Sequence, residues 1–188
     1  MKKILLATIL FLAVSANMEA QLVKFGIKAG LNYANQTGTD LTINSENYKT
    51  TDAITSYHAG LIAEIKLTDG FSVQPELLYS TQGASYKNAT TEFKNELGYL
   101  SIPVLAKFHF NKTVSLDLGP QASFLLSERN DFDIKNSETF EFGLAGGLGI
   151  NITKNLFIQG RYVVGLTEAS KDAQAKNSVL QISAGISF

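Results

Sequence analysis

The sequence predicts an all-β chain: an eight-stranded antiparallel up-and-down transmembrane β-barrel at 21–188, behind an N-terminal signal peptide at 1–20. Three observations predict it. Apolar residues recur at every second position through eight segments, the period at which a strand turns successive side chains to opposite faces. Tight turns alternate with long polar connections, so short turns gather on one rim and long loops on the other. After the leader, no apolar run approaches the roughly 18 residues a membrane helix needs.

The leader comes first. Lys2 and Lys3 precede an apolar run at 4–14, and small and polar residues follow to Ala20, the layout of a secretory signal peptide. The run is too short to span about 30 Å of hydrocarbon as a helix, so cleavage after Ala20 is expected. The sequence has 188 residues, enough for one domain, and no cysteine, which excludes a lipid anchor, a disulfide framework and thiolate chemistry. Lys+Arg 16 and Asp+Glu 17 become 14 and 16 once Lys2, Lys3 and Glu19 leave with the leader, a net charge of −2. No basic cluster marks a nucleic-acid surface.

The strands follow in order. Phe25, Ile27, Ala29, Leu31 and Tyr33 share one face of the first, opposed by Lys24, Gly26, Lys28, Gly30 and Asn32. Tyr57, Ala59, Leu61, Ala63, Ile65 and Leu67 mark the second, and Phe71, Val73, Pro75, Leu77 and Tyr79 the third. Leu100, Ile102, Val104, Ala106, Phe108 and Phe110 mark the fourth, and Val114, Leu116, Leu118, Ala122 and Phe124 the fifth. Phe140, Phe142, Leu144, Leu148 and Ile150 give the sixth; Leu156, Ile158, Tyr162, Val164 and Leu166 the seventh. Leu180, Ile182, Ala184, Ile186 and Phe188 close the chain. Turns at 68–70, 111–112 and 153–155 carry suitable residues, while 34–56, 83–96, 127–139 and 167–178 read as long polar loops.

Charge placement orients the faces. The apolar face has no Asp, Glu, Lys or Arg, as lipid demands, since a lipid-facing Lys or Arg at the midplane costs about 2–4 kcal/mol. The other face mixes glycines such as Gly26, Gly30, Gly60, Gly119, Gly143, Gly147, Gly149, Gly165 and Gly185 with isolated charges, which suits a narrow filled lumen. Aromatics form two girdles: Phe25, Phe71, Phe108, Phe110 and Phe188 near the turn rim, and Tyr33, Tyr57, Tyr79, Phe124 and Phe140 near the loop rim. The expected location is therefore a bacterial outer membrane, with both termini on the periplasmic rim. Pro75, Pro103 and Pro120 fall inside strands and are expected to sit at bulges, because proline cannot donate to a ladder.

Three stretches carry a family resemblance: Gln74-Pro75-Glu76-Leu77-Leu78-Tyr79-Ser80, Tyr99-Leu100-Ser101-Ile102-Pro103-Val104-Leu105-Ala106-Lys107-Phe108, and the last strand ending in Phe188. They resemble the small outer-membrane β-barrel family of Bacteroidota, the porin-family or PorT-like proteins. The resemblance covers essentially the whole mature chain. It implies insertion by the barrel-assembly machinery, with Phe188 as the terminal aromatic assembly signal, and it implies no single activity.

The chemistry-bearing residues are sparse. Lys28, Glu64, Lys66, Glu76, Lys107, Asp117 and Arg161 fall on the inward face and are expected to form a lumen-filling charge network, since unpaired buried charge is costly. Hairpin arithmetic sets Lys107 opposite Asp117 as an ion pair and Glu64 opposite Gln74, with Glu76 a diagonal step on and Arg161 serving both carboxylates. His58, beside Asp52 and Ser56 near the loop rim, and His109 near the turn rim have no metal-motif spacing. Glycine-rich 143–149 continues a strand without a following helix, so it is no phosphate cradle. Asn-X-Thr matches begin at Asn35, Asn88, Asn111 and Asn151 and read as coincidence in a bacterial chain. No catalytic, cofactor or metal site is expected. The expected function is that of a non-enzymatic, monomeric barrel bathed in outer-membrane lipid, with a closed polar lumen and long loops for adhesion or for an unidentified protein partner. Its alternatives are a porin-like passive channel, a rim-located enzyme and a soluble secreted β-barrel binding protein.

Overall fold

The computed structural model describes residues 22–37, 41–43, 46–87, 92–130, 139–167 and 176–188; the leader and Asn88 lie outside them. The strands among these residues are β1 (Val23–Thr37), β2 (Leu41–Ile43), β3 (Glu46–Thr68), β4 (Phe71–Lys87), β5 (Glu92–His109), β6 (Val114–Asn130), β7 (Phe140–Asn151), β8 (Leu156–Gly165) and β9 (Lys176–Ser187). Each wall strand pairs antiparallel with its chain neighbours, β1 pairs with β9, and β1 also pairs with β3. The wall is thus a closed ring of eight strands, which leaves no edge with unpaired backbone groups. The ninth, β2, pairs only with β3, out in the first loop.

The barrel is inside out relative to a soluble one. Leu61, Leu144 and Ile182 are more than half exposed, whereas Lys28, Arg161 and Gln159 are almost wholly buried. Leu61, Leu116 and Ile158 therefore point away from the axis, and β8 alternates exposed and buried without a break. So large an apolar belt around a polar interior has one compatible solvent, lipid. No helix among the described residues is long and apolar enough to cross a membrane.

The turn rim is set by short polar residues. Asn111 Oδ1 accepts from the backbone N–H groups of Thr113 and Val114, both at 2.8 Å, closing an Asx-type turn. Thr153 Oγ1 does the same for Asn155 and Leu156, at 3.2 and 2.9 Å. Asn111 and Asn151 thus have backbone duties, since Asn151 Nδ2 donates to Lys112 O at 3.1 Å.

Two expectations change. The segments expected as loops at 34–56 and 83–96 are largely strand: β1 runs on to Thr37, β3 starts at Glu46, β4 reaches Lys87 and β5 starts at Glu92. Apolar alternation stops where the wall leaves lipid, but backbone pairing needs no apolar side chain and continues beyond it. The prolines are not at bulges. Pro75 pairs with Val104, Pro103 with Gln121 and Pro120 with Leu144, and the register on either side of each is the same. Register shifts fall instead in β3–β4, between Thr50 and Asp52, Ala53 and His58, and Lys66 and Thr68, and in β5–β6 between Gly98 and Tyr99. Proline's missing donor interrupts pairing locally: paired residues skip from Pro75–Val104 to Leu78–Ser101 and from Pro103–Gln121 to Ala106–Leu118 without a slip.

Candidate functional site: the filled lumen

The floor and walls of the lumen are the inward residues of all eight strands, and a strut crosses its centre. Arg161 on β8 reaches Glu76 on β4, its Nη1 donating to Oε2 at 2.9 Å and its Nη2 to Oε1 at 2.6 Å. In the ring order these strands lie opposite each other, so the bidentate pair spans the bore. Lys28 on β1 adds its ammonium to Glu76 Oε2 at 2.9 Å, and Gln74 Nε2 donates to Oε1 at 2.7 Å. The amide of Gln159 ties these cations to a second acid: its Oε1 accepts from Lys28 and Arg161, both at 2.9 Å, while its Nε2 donates to Asp117. Two cations and two carboxylates are thus neutralised out of water, as buried charge requires.

A second cluster lies nearer the turn rim. Lys107 Nζ reaches Glu64 Oε2 at 3.1 Å and Gln74 Oε1 at 3.0 Å, and stands 5.7 Å from the ring centre of Phe157. His109 Nε2 lies 3.3 Å from Glu64 Oε1. Three expectations are corrected here. Lys107 is paired in register with Asp117, but their side chains form no ion pair. Arg161 serves Glu76 and not Glu64. Lys66 leaves the lumen altogether and pairs with Asp69 at 2.6 Å on the exposed turn, where the hydrogen bond from its ammonium holds the Asp69 carboxyl below its ordinary value.

These corrections share one cause. In a narrow closed wall, inward side chains point at the axis, and long ones meet the second strand along as readily as the first. Lys107 on β5 meets Glu64 on β3, Gln159 on β8 meets Asp117 on β6, and Tyr99 on β5 donates to Glu141 on β7 at 2.7 Å. Neutral inward residues that carried no charge signal, Asn32, Gln74, Gln159 and Gln181, supply much of the network. Their sequence signature was their parity with Lys28 and Arg161.

His58 is the other departure. It sits inside the lumen, two residues along the same face of β3 from the buried Ser56, rather than on the rim. Its Nδ1 lies 2.7 Å from Asn32 Oδ1 and its Nε2 lies 2.7 Å from Ser183 Oγ. Asn32 Nδ2 donates to Thr81 O at 2.7 Å and Tyr57 O at 3.2 Å, so Oδ1 must accept and His58 carries its proton on Nδ1. Nε2 then accepts from the Ser183 hydroxyl. That hydrogen-bond order matches a serine hydrolase triad, but Asn32, His58 and Ser183 are each at most 2% exposed. Gly30 makes room for the ring, since a Cβ there would stand 2.8 Å from His58 Cε1. With the serine wholly covered, the chain of hydrogen bonds locks β1, β3 and β9 together and offers no acyl group a path to Oγ.

Above the strut, Ala34, Leu105, Ala145, Val163 and Val179 form an apolar layer across the bore. Among the described residues no group of three or more His, Asp or Glu is placed to hold a metal ion.

A family model described as the outer membrane protein β-barrel domain matches residues 16–171. The chain belongs to that family. It is a protein of the bacterial outer membrane, so the turn rim faces the periplasm and the loop rim the exterior. Solved structures agree on the fold. Ail, the attachment invasion locus protein of Yersinia pestis, is 14% identical over 89% of this chain and all of its own, with a TM-score of 0.53. Neisserial surface protein A is 15% identical over 87% of this chain and 97% of its own, with a TM-score of 0.55. OprG from Pseudomonas aeruginosa is 15% identical over 89% and 96%, with a TM-score of 0.54. No curated protein matches the chain.

Proposed function

We propose that this barrel is a closed, non-enzymatic platform whose lumen is structural and whose loop side binds a protein partner or a surface. The observation that carries this reading is the Arg161–Glu76 strut: the bore is crossed by a bidentate pair and filled by Lys28, Gln159 and Asp117. Extension of β1, β3, β4 and β5 beyond the apolar belt supports it, because paired strands hold the loops away from the membrane on a stiff stem. Ail, which shares this fold, has been seen with a heparin analogue, sucrose octasulfate. The charge of this chain's loops points to a partner of the other sign. Asp40, Glu46 and Asp52 stand against Lys49 in the first loop, and Glu128, Asp131, Asp133 and Glu138 against Arg129 and Lys135 in the third. A basic partner surface is the complement.

The same reading includes export by a leader at 1–20, assembly through the terminal Phe188 by the barrel-assembly machinery, a monomer in outer-membrane lipid, and kinship with PorT-like barrels of Bacteroidota. Planar-bilayer recording of the purified protein tests the closed lumen. Only brief, rare events are expected; large, stable unitary conductances would replace the platform with a channel.

A further inference from the structure

The periplasmic mouth holds a cavity of about 610 Å³, lined in part by Glu64 and His109 of the lumen's second cluster. Lys24, Lys66, Lys112 and Lys154 line it, with Glu64 and Asp69 as its acids. Both acids are already matched: Asp69 by Lys66 at 2.6 Å, and Glu64 by Lys107 at 3.1 Å from the lumen above. Among the described residues, Lys24, Lys112 and Lys154 have no carboxylate partner in the cavity. They come from the start of β1 and from two separate turns, so the fold collects on one rim charges that lie far apart in the sequence. The excess is notable in a chain of formal net charge −1. The turns themselves are tied, since Asn151 Nδ2 donates to Lys112 O at 3.1 Å and Thr153 Oγ1 accepts from Leu156 N at 2.9 Å.

We infer that this basin binds a small multivalent anion, bearing phosphate or carboxylate groups, from the periplasmic side. A concave basin with an uncompensated ring of one sign concentrates counter-ions, and its volume lies in the range of small-molecule sites. Lysines suit such a ligand as mobile point charges with three donors each, adapting to phosphate and carboxylate alike. Its lining comes from inward residues and the three turns, with Phe110 its one residue of the outward girdle, which favours a soluble anion over the headgroup of an inner-leaflet lipid. The inference is independent of whatever the loops bind.

The test uses the full mature barrel in phosphatidylcholine nanodiscs at about 50 mM salt, where charges are weakly screened, titrated with tripolyphosphate and followed by calorimetry. Saturable one-to-one binding is expected. Replacing Lys24, Lys112 and Lys154 together by Gln removes three of the basin's four lysines and should weaken it about tenfold. Removing three loop-side charges instead, by Lys49→Gln, Lys87→Gln and Lys94→Gln, should leave it unchanged. Equal loss in both variants, unchanged binding in the first, or no saturation in the wild type each overturns the inference. Nanodiscs containing phosphatidylglycerol separate the sources: undiminished tripolyphosphate binding supports a soluble ligand, and competitive loss that the first variant abolishes supports a lipid headgroup.

Discussion

Glu76→Gln is the sharpest test of the lumen. In the wild type this carboxylate faces the Arg161 guanidinium at 2.6 and 2.9 Å and the Lys28 ammonium at 2.9 Å, and its side chain is fully buried. The amide is nearly the same size, so packing is preserved while one negative charge is lost between two buried cations. Its nitrogen would also turn donors toward a donor. Removing one partner of a buried pair costs about 3–5 kcal/mol, because the surviving charge stays desolvated and uncompensated. At a urea slope of about 2 kcal/mol per molar, the midpoint of barrel unfolding should fall by roughly 2 M. The chain has no Trp, so folded barrel is best followed by its heat-modifiable mobility on a gel across a urea series in lipid vesicles. Replacing all four charges, by Glu76→Met, Lys28→Met, Arg161→Met and Asp117→Leu, should recover most of the loss, since apolar replacement of a whole buried network is close to neutral. A Glu76→Gln midpoint within about 0.5 M of the wild type would refute the claim that this network holds the bore.

Other outcomes follow from the same geometry. Leu144→Lys, on the exposed face of β7, should destabilise the barrel in lipid by about 2–4 kcal/mol, measured in the same urea series; a soluble barrel would tolerate it. Asp69→Asn breaks a pair that is open to water on the turn and should shift the midpoint by no more than a few tenths of a molar. Gly60→Val puts a side chain against the backbone of Leu77 and Leu78 on β4, and should cut the yield of the heat-modifiable form several-fold, with overpacking of about 1–3 kcal/mol or more. His58→Ala removes a partner from both Asn32 and Ser183, at about 1–3 kcal/mol. A fluorophosphonate should leave Ser183 unlabelled in the folded wild type; stoichiometric labelling that His58→Ala abolishes would establish a working nucleophile.

The fold was legible because lipid punishes a misplaced charge along the whole wall. Most outward residues from Phe25 to Phe188 could be assigned by counting in twos, and the turns at Asn111 and Thr153 announced themselves by side chains that cap backbone donors. The lumen was less legible. Parity identified Lys28, Glu76, Lys107, Asp117 and Arg161 as inward, but ladder arithmetic pairs only adjacent strands, and in a tight ring Lys107 reaches past its neighbour to Glu64. Lys66 shares that parity and still leaves, because it lies beside the turn where Asp69 and water are within reach. His58 was placed on the rim by the end of the apolar pattern, whereas the wall continues past it. The prolines misled for a related reason: a missing donor need not add a residue, and Pro75, Pro103 and Pro120 keep their register by leaving rungs unpaired.

The cross-bore pair also bears on how such a barrel can be made. Glu76 and Arg161 are 85 residues apart, and Lys28 and Gln159 are 131 apart. A nascent wall that ends before β8 therefore holds Glu76 and Lys28 without the guanidinium that completes them, exposed to whatever fills the unfinished hollow. Sealing the seam between β1 and β9 and extinguishing that stray charge become a single cooperative event. Chains that stall short of it should be recognisable to periplasmic quality control by their wet, unbalanced interiors.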